Sequence, residues 1–237
     1  MNTKNLADRV LKKISSHEHY DEVMKVVRKN AYGKIFLVGG KVYRTAIEVM
    51  HNYYCQSESS DWDFLVLGDI KTIHIPQDWQ TTSGYYEKKN SVRIIRRGKK
   101  TQLKRGPYRY FGRLPDIKID LISIKDIMKT AGESQRGNVK DYFRIVPLDI
   151  QALALDVEKK SLLGSKAVSA IKSRKVSVNN SIGALPGLNI SEYIQNKASS
   201  IAFMCEQSPR TKSQCDCFSG DIKTLWDRGC QLPQHHI

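Results

Sequence analysis

A short apolar run, Ile35-Phe36-Leu37-Val38, stops at Gly39-Gly40. Such a run, closed by glycines, reads as a buried strand. Beyond it Val42, Ala46, Ile47, Val49 and Met50 recur at helical spacing, which predicts a helix to about Tyr54. A polar loop, Gln56 to Ser60, leads into Asp61-Trp62-Asp63-Phe64-Leu65-Val66-Leu67, a second strand. Strand, tight turn, helix and strand in this order require a layered α/β architecture. Side chains at i and i+2 share a face of a strand, so Asp61 and Asp63 project together. Trp62 points the other way and is expected in the core.

The rest of the pattern agrees. Val23, Val26 and Val27 give a helical stripe in an N-terminal stretch that is helical to about Asn30, with Gly33 ending it. His17 and His19 are expected on its surface, without a role. Further strands are expected at Thr72–Ile75, Ser91–Arg96 and Ile117–Ile124. Another apolar run covers Ile150–Val157, then a turn at Gly164, a helix over 165–173 and a strand at Lys175–Val178. Gly183, Pro186 and Gly187 mark a boundary. Residues 1–180 then form a head domain with N-terminal helices. Residues 181–237 hold a helix over 191–206 and a Cys/His-rich tail. The expected fold is α/β, a small mixed sheet with helices packed on it.

Composition narrows the function. Of 237 residues, 40% are hydrophobic and 27% charged, enough for a sizeable core. No run approaches a membrane span, and no secretory leader is recognisable, so a cytoplasmic, reducing setting is expected. Lys and Arg total 39 against 24 Asp and Glu, a formal charge of +15, which favours a polyanionic partner.

Asp61 and Asp63, with Asp120 from a later strand, have the logic of two-metal phosphoryl transfer. Two Mg²⁺ ions about 3.5–4 Å apart can activate a hydroxyl and stabilise a leaving pyrophosphate. Asp116 shares parity with Asp120 and is a substitute candidate. Gly39 and Gly40, at a helix N-terminus, let backbone N–H groups approach a triphosphate. Lys41 and Arg44 follow in the first turns, where they either neutralise that triphosphate or are solvated.

Gly39-Gly40 followed by Asp61-Trp62-Asp63 resembles the signature of the DNA polymerase β nucleotidyltransferase superfamily, and most of all the head domain of tRNA CCA-adding enzymes and bacterial poly(A) polymerases. Asp149-Ile150-Gln151-Ala152-Leu153-Ala154 resembles that branch's Thr-Ile-Asn-Ala-Leu-Ala segment. Leu162-Leu163-Gly164, Ile171-Lys172-Ser173-Arg174 and Val176-Ser177-Val178 follow in the order expected there. The resemblance spans residues 33–180. It implies transfer of a nucleoside monophosphate from an NTP, ATP or CTP, to a hydroxyl. Asp61 and Asp63 would hold both Mg²⁺ ions, Asp120 the one at the attacking hydroxyl, and the glycines the phosphates. The branch's Glu-Asp-x-x-Arg base-selecting motif is not found, so the resemblance carries nucleotidyl transfer and not CCA addition.

Residues 88–113 hold eleven Lys or Arg and no acid. Arg93, Arg96, Arg97, Lys99, Lys100, Lys104 and Arg105 make a basic hairpin with Lys99-Lys100 at its tip. Tyr108, Tyr110 and Phe111 interleave at its end. Such a hairpin suits a polynucleotide backbone and unstacked bases, so the expected acceptor is RNA, a tRNA or other 3′ end. The alternatives are a solvated loop here, and for the whole chain a protein or small-molecule acceptor, a toxin-like enzyme acting on tRNA, or a non-catalytic binding module. Near the C-terminus Cys215, Cys217, Cys230 and His235 could make a structural Zn²⁺ site, with Cys205 or His236 as stand-ins.

Overall fold

The computed structural model describes residues 3–177 and 179, apart from 53–54, 56, 60, 73, 83–90, 106–107 and 131–136. The expected boundary near 180, the helix over 191–206 and the Cys/His tail therefore lie outside the described residues. Two helices open the chain, α1 (Thr3–Ser15) and α2 (Tyr20–Asn30). Then come β1 (Ile35–Val38), α3 (Gly39–His51) and β2 (Trp62–Val66). The strand–glycine–helix–strand reading is thus realised almost residue for residue. Next are β3 (Trp79–Thr82), β4 (Val92–Arg96), β5 (Lys100–Arg105), β6 (Tyr108–Arg113) and β7 (Ile117–Ser123). Helices α4 (Ile124–Thr130) and α5 (Val139–Ile145), strands β8 (Ala154–Asp156) and β9 (Ser161–Leu163), and α6 (Ser165–Ser173) complete the described chain.

The result is mixed α/β. Seven strands form one sheet in the order β3-β4-β7-β2-β1-β8-β9, and β5-β6 forms a separate two-stranded ribbon. Only the β2–β7 pairing is parallel among the named strand pairs; the others are antiparallel. Phe64, Leu65, Val66, Ile119 and Leu121 are buried on the central strands. Leu6, Val10 and Ile14 of α1, Val23 and Val27 of α2, and Val42, Ala46 and Ile47 of α3 join the same core. Among the described residues no helix is long and apolar enough to cross a membrane.

Three expectations are corrected. Among the described residues of 72–75 there is no strand; the edge strand is β3, paired with β4 from Trp79↔Arg96 to Thr82↔Arg93. Residues 175–177 also form no strand. Ser177 instead clasps the 3-10 turn at Asp149: its carbonyl accepts from the Asp149 N–H at 3.0 Å, and its N–H donates to Asp149 Oδ1 at 3.0 Å. Asn179 holds the same segment by donating from Nδ2 to the Phe143 and Val146 carbonyls. Side-chain anchors do there what a sheet ladder was expected to do.

The third correction concerns the histidines. The N-terminal stretch is broken at His19, which takes the left-handed conformation (φ 70°) just before α2. The break turns His17 inward, and it is 6% exposed. Its ring meets Trp62 edge-on at 6.3 Å, and Nε2 lies 3.4 Å from Ser57 Oγ. Ser57 belongs to a buried hub centred on Glu48. That carboxylate accepts from the N–H groups of Cys55 and Ser57 and from Ser57 Oγ, and pairs with Lys13 at 3.1 Å. These bonds outweigh burial and hold Glu48 below its usual range.

Burial, reinforced by Lys41 and Lys13 against Glu48, lowers the His17 pKa from 6.5 to about 4. The folded state keeps this ring neutral while the unfolded chain protonates it. Stability therefore falls as pH drops from 6.5 towards 4, by about 3 kcal/mol from this group. Urea unfolding at stepwise pH should show that slope in the wild type and a shallower one in His17→Gln. Equal slopes in the two proteins would remove His17 from the pH dependence.

Candidate active site

Sheet register, not sequence proximity, assembles the site. β1 pairs Val38 with Asp63, the parallel β2–β7 ladder pairs Asp63 with Asp120, β7 pairs Asp120 with Arg93, and β4 pairs Arg93 with Thr82. Directly paired residues point to the same side of a sheet. Asp63, Asp120 and Arg93 therefore stand in one row across three strands. Asp61 lies two residues before Asp63, on the same side. Trp62, on the opposite side, is 5% exposed, as alternation requires.

Gly39 supplies the other wall. It starts α3 with φ 71°, a conformation that a residue with a Cβ adopts poorly. A Cβ there would lie 2.1 Å from Asp63 Oδ2. The carboxylate is thus seated against the backbone that begins α3, where the helix dipole favours negative charge. Gly40 follows in the first turn, half-buried.

Arg93 is the largest departure from expectation. The sequence places it in polynucleotide contact, yet its guanidinium grips Asp120 in a two-pronged bond, Nε to Oδ1 at 2.6 Å and Nη2 to Oδ2 at 2.5 Å. The same Nη2 stands 3.9 Å from Asp61 Oδ2. The bond to Asp120 raises the Arg93 pKa further above its already high value. Lys118 Nζ approaches Asp61 Oδ1 at 3.9 Å. Asp120 is 5% exposed, so its charge needs a local partner, and Arg93 provides it.

Lys41 is also repositioned. It is neither solvated nor directed outward: it is fully buried, on the Trp62 side. Its ammonium donates to the Ser57 and Glu58 carbonyls at 3.1 Å each and lies 4.1 Å from the Trp62 ring centroid. Burial lowers its pKa to about 8, with Asp61, Asp63 and Glu58 pulling the other way. Lys41 thus tethers the turn that delivers Asp61. Arg44 is half-buried, and its Nε is enclosed without a hydrogen-bond partner.

Asp116 drops out as a substitute for Asp120. It caps the start of the β5–β6 ribbon, accepting from the Gly98 N–H at 2.9 Å and from Arg97 Nη1 at 2.8 Å. Gly98 is required there, since a Cβ would lie 1.7 Å from the Leu114 carbonyl oxygen. Arg96 is likewise committed, donating to Glu22 at 2.7 Å and lying over the Trp79 ring. Lys99 and Lys100 are exposed but sit at the end of the ribbon that begins with the pair Lys100↔Arg113, opposite the end where Arg105 pairs with Tyr108. Lys104 and Arg105 are on β5, and Phe111 on β6 is 85% exposed. The zinc candidates Cys215, Cys217, Cys230 and His235 lie outside the described residues, as do Cys205 and His236.

The carboxylate oxygens of Asp61, Asp63 and Asp120 are donors of the kind that suits Mg²⁺, and the missing side chain of Gly39 lets the Asp63 carboxylate sit against the start of α3. Among the described residues no three His, Cys, Asp or Glu side chains converge as a ready-made metal cluster. Both oxygens of Asp120 face Arg93.

Gly39→Ala should destabilise the protein by about 1–3 kcal/mol through the left-handed backbone and the clash with Asp63. A urea midpoint equal to wild type would show that Asp63 is not seated on Gly39. Comparison with protein-family models, with curated proteins and with solved structures returns no match, so a functional reading stands on the geometry and the residues themselves.

Proposed function

We propose that the chain is a metal-dependent nucleotidyltransferase of polymerase β-like type, moving a nucleoside monophosphate from ATP or CTP to an RNA 3′ hydroxyl. The observation that carries this reading is the side-by-side pairing of Asp63 with Asp120 on parallel strands, facing the glycine start of α3. Asp61 and Asp63 would hold Mg²⁺, with Asp120 as the third carboxylate. When bound, Mg²⁺ supplies neutralisation of the triphosphate and of the charge that develops on the leaving oxygen.

The chain's own groups account for the rest. Backbone N–H groups of Gly39 and Gly40 receive the β- and γ-phosphates, where the α3 dipole is favourable. Asp120 takes the proton of the acceptor hydroxyl on a carboxylate oxygen. That hydroxyl oxygen bonds to the α-phosphorus, the bond from the α-phosphorus to the bridging oxygen breaks, and pyrophosphate leaves. Lys41 supports Asp61 and Asp63 electrostatically from the opposite side of the sheet. Exposed Lys99, Lys100 and Phe111 offer the acceptor cations and an aromatic face.

The bidentate hold of Arg93 on Asp120 favours one competing reading, a binding module in which the third carboxylate is structural. Incubating total RNA with each labelled triphosphate separates the two. Labelled RNA and metal-dependent pyrophosphate release support transfer; their absence with all four triphosphates supports the module.

Asp63→Asn keeps the shape of the side chain and removes its charge. Transfer should fall by about two to four orders of magnitude with folding retained. Activity within about tenfold of wild type would remove Asp63 from the chemistry.

Replacing Lys99, Lys100, Lys104 and Arg105 with Ala should weaken RNA binding and flatten its dependence on log salt, by about 0.7 for each phosphate of single-stranded RNA that is no longer neutralised. Arg96 is left in place because its removal would also break the bond to Glu22. An unchanged salt slope would make the ribbon a solvated surface only.

A further inference from the structure

We propose that Arg93 is the resident cation of the carboxylate row, a displaceable counter-ion with which a divalent metal ion competes for Asp120. The inference rests on the reading of Asp61, Asp63 and Asp120 as metal-binding carboxylates, and it adds a device which that reading does not contain.

Three observations carry it. Asp63 and Asp120 are direct register partners, so two carboxylates are held on one side of adjacent strands whatever else is bound. Asp120 is 5% exposed, which leaves it little water to screen its charge. Arg93 answers both facts: its fork takes both Asp120 oxygens and reaches to 3.9 Å from Asp61. The guanidinium therefore lies where the positive charge of a bound ion is wanted.

The same geometry says that the guanidinium can leave. The β4 backbone is fixed by pairing from Val92↔Leu121 to Arg96↔Ile117, and Arg96 and Arg97 are tied to Glu22 and Asp116. What can move is the Arg93 side chain, a long flexible stem with 24% of its surface open to solvent. Swinging it outward needs no change of register or strand. The metal-free protein is then protected from carboxylate repulsion, and metal loading is a cation exchange. Its apparent affinity is weaker than the donor oxygens alone would give. Arg93 is a positioning residue in this account, acting through Asp120.

The test uses the full chain and Mn²⁺, titrated by electron paramagnetic resonance against wild type, Arg93→Gln and Arg93→Lys, with melting curves in EDTA and in Mg²⁺. Arg93→Gln should bind Mn²⁺ about tenfold tighter or more, because a like charge within a few ångströms is removed. It should also melt lower than wild type in EDTA and gain more from Mg²⁺, since ligand-linked stabilisation grows with affinity. Arg93→Lys, which keeps the charge but loses the fork, should fall between the two. Should Arg93→Gln fail to fold without metal yet fold with it, the proposal is supported. Should it fail in both conditions, Arg93→Lys decides: tighter Mn²⁺ binding supports the exchange, and equal or weaker binding overturns it. Equal or weaker binding by Arg93→Gln, or no Mn²⁺ binding by any of the three proteins, also overturns it. Tighter binding by a protein that transfers no nucleotide would sink the transferase reading and leave the counter-ion standing. Transfer with unchanged Mn²⁺ affinity would do the reverse.

Discussion

Two like charges on adjacent strands are the constraint around which the described fold is arranged. At 4 Å such a pair repels by about 4 kcal/mol at an effective dielectric of 20, a large share of a domain's net stability. Asp63 and Asp120 are direct register partners on the parallel β2–β7 ladder, so their charges stand on the same side of adjacent strands. Three positive features offset the repulsion. Arg93 binds Asp120 from β4, the N-terminus of α3 receives Asp63 through Gly39, and the Lys41 ammonium lies on the other side of the sheet. Leucines in the same row would need none of these offsets. That imbalance is the physical argument for a site.

The site also explains the odd placement of polar groups behind it. Lys41 reaches the Ser57 and Glu58 carbonyls, Ser57 bonds to Glu48, and Glu48 pairs with Lys13 of α1. The turn before Asp61 is thereby bonded to two helices through charged side chains. A polar hub of this kind is costly to bury but directional, and it limits where Asp61 can stand. Apolar packing alone would hold the loop without fixing its register.

Much of this was legible in the chain. Val38-Gly39 at a strand end, the stripe of Val42, Ala46 and Ile47, and the alternation around Trp62 each obey one local rule, and the structure follows them. The boundaries of α6 at Ser165 and Ser173 follow from the same periodicity. What stayed hidden depends on contacts between distant segments. Lys41 reads either as a triphosphate contact or as solvated, because nothing near it in sequence shows that Ser57 and Glu58 will offer it carbonyls. His17 looks like one more position on a helix until the left-handed turn at His19 breaks that helix. Residues 72–75 have strand-like composition, but β3 forms beyond them, where Trp79 finds Arg96 as its partner. The one signal that could have exposed Arg93 was parity. It alternates with Ile94 along β4, and that core residue must face the other way from the carboxylates.

The charge count needs the same correction. A formal +15 argues for a polyanionic partner, and the basic run 88–113 concentrates it in one stretch of sequence. Among the described residues, three of that run's cations are paired within the fold: Arg93 with Asp120, Arg96 with Glu22, and Arg97 with Asp116. All three lie on or just beyond β4, the strand that joins the carboxylate row to the ribbon. Two of the three bonds brace that strand, Arg96 against α2 and Arg97 against the start of β7, while Arg93 enters the row itself. The exposed Lys99 and Lys100 follow Gly98, where the chain leaves the main sheet for β5. Among the described residues, a run that reads as uniform in sequence is therefore divided by the fold at Gly98: the arginines of β4 and Arg97 are paired within the fold, while Lys99 and Lys100 after it are exposed.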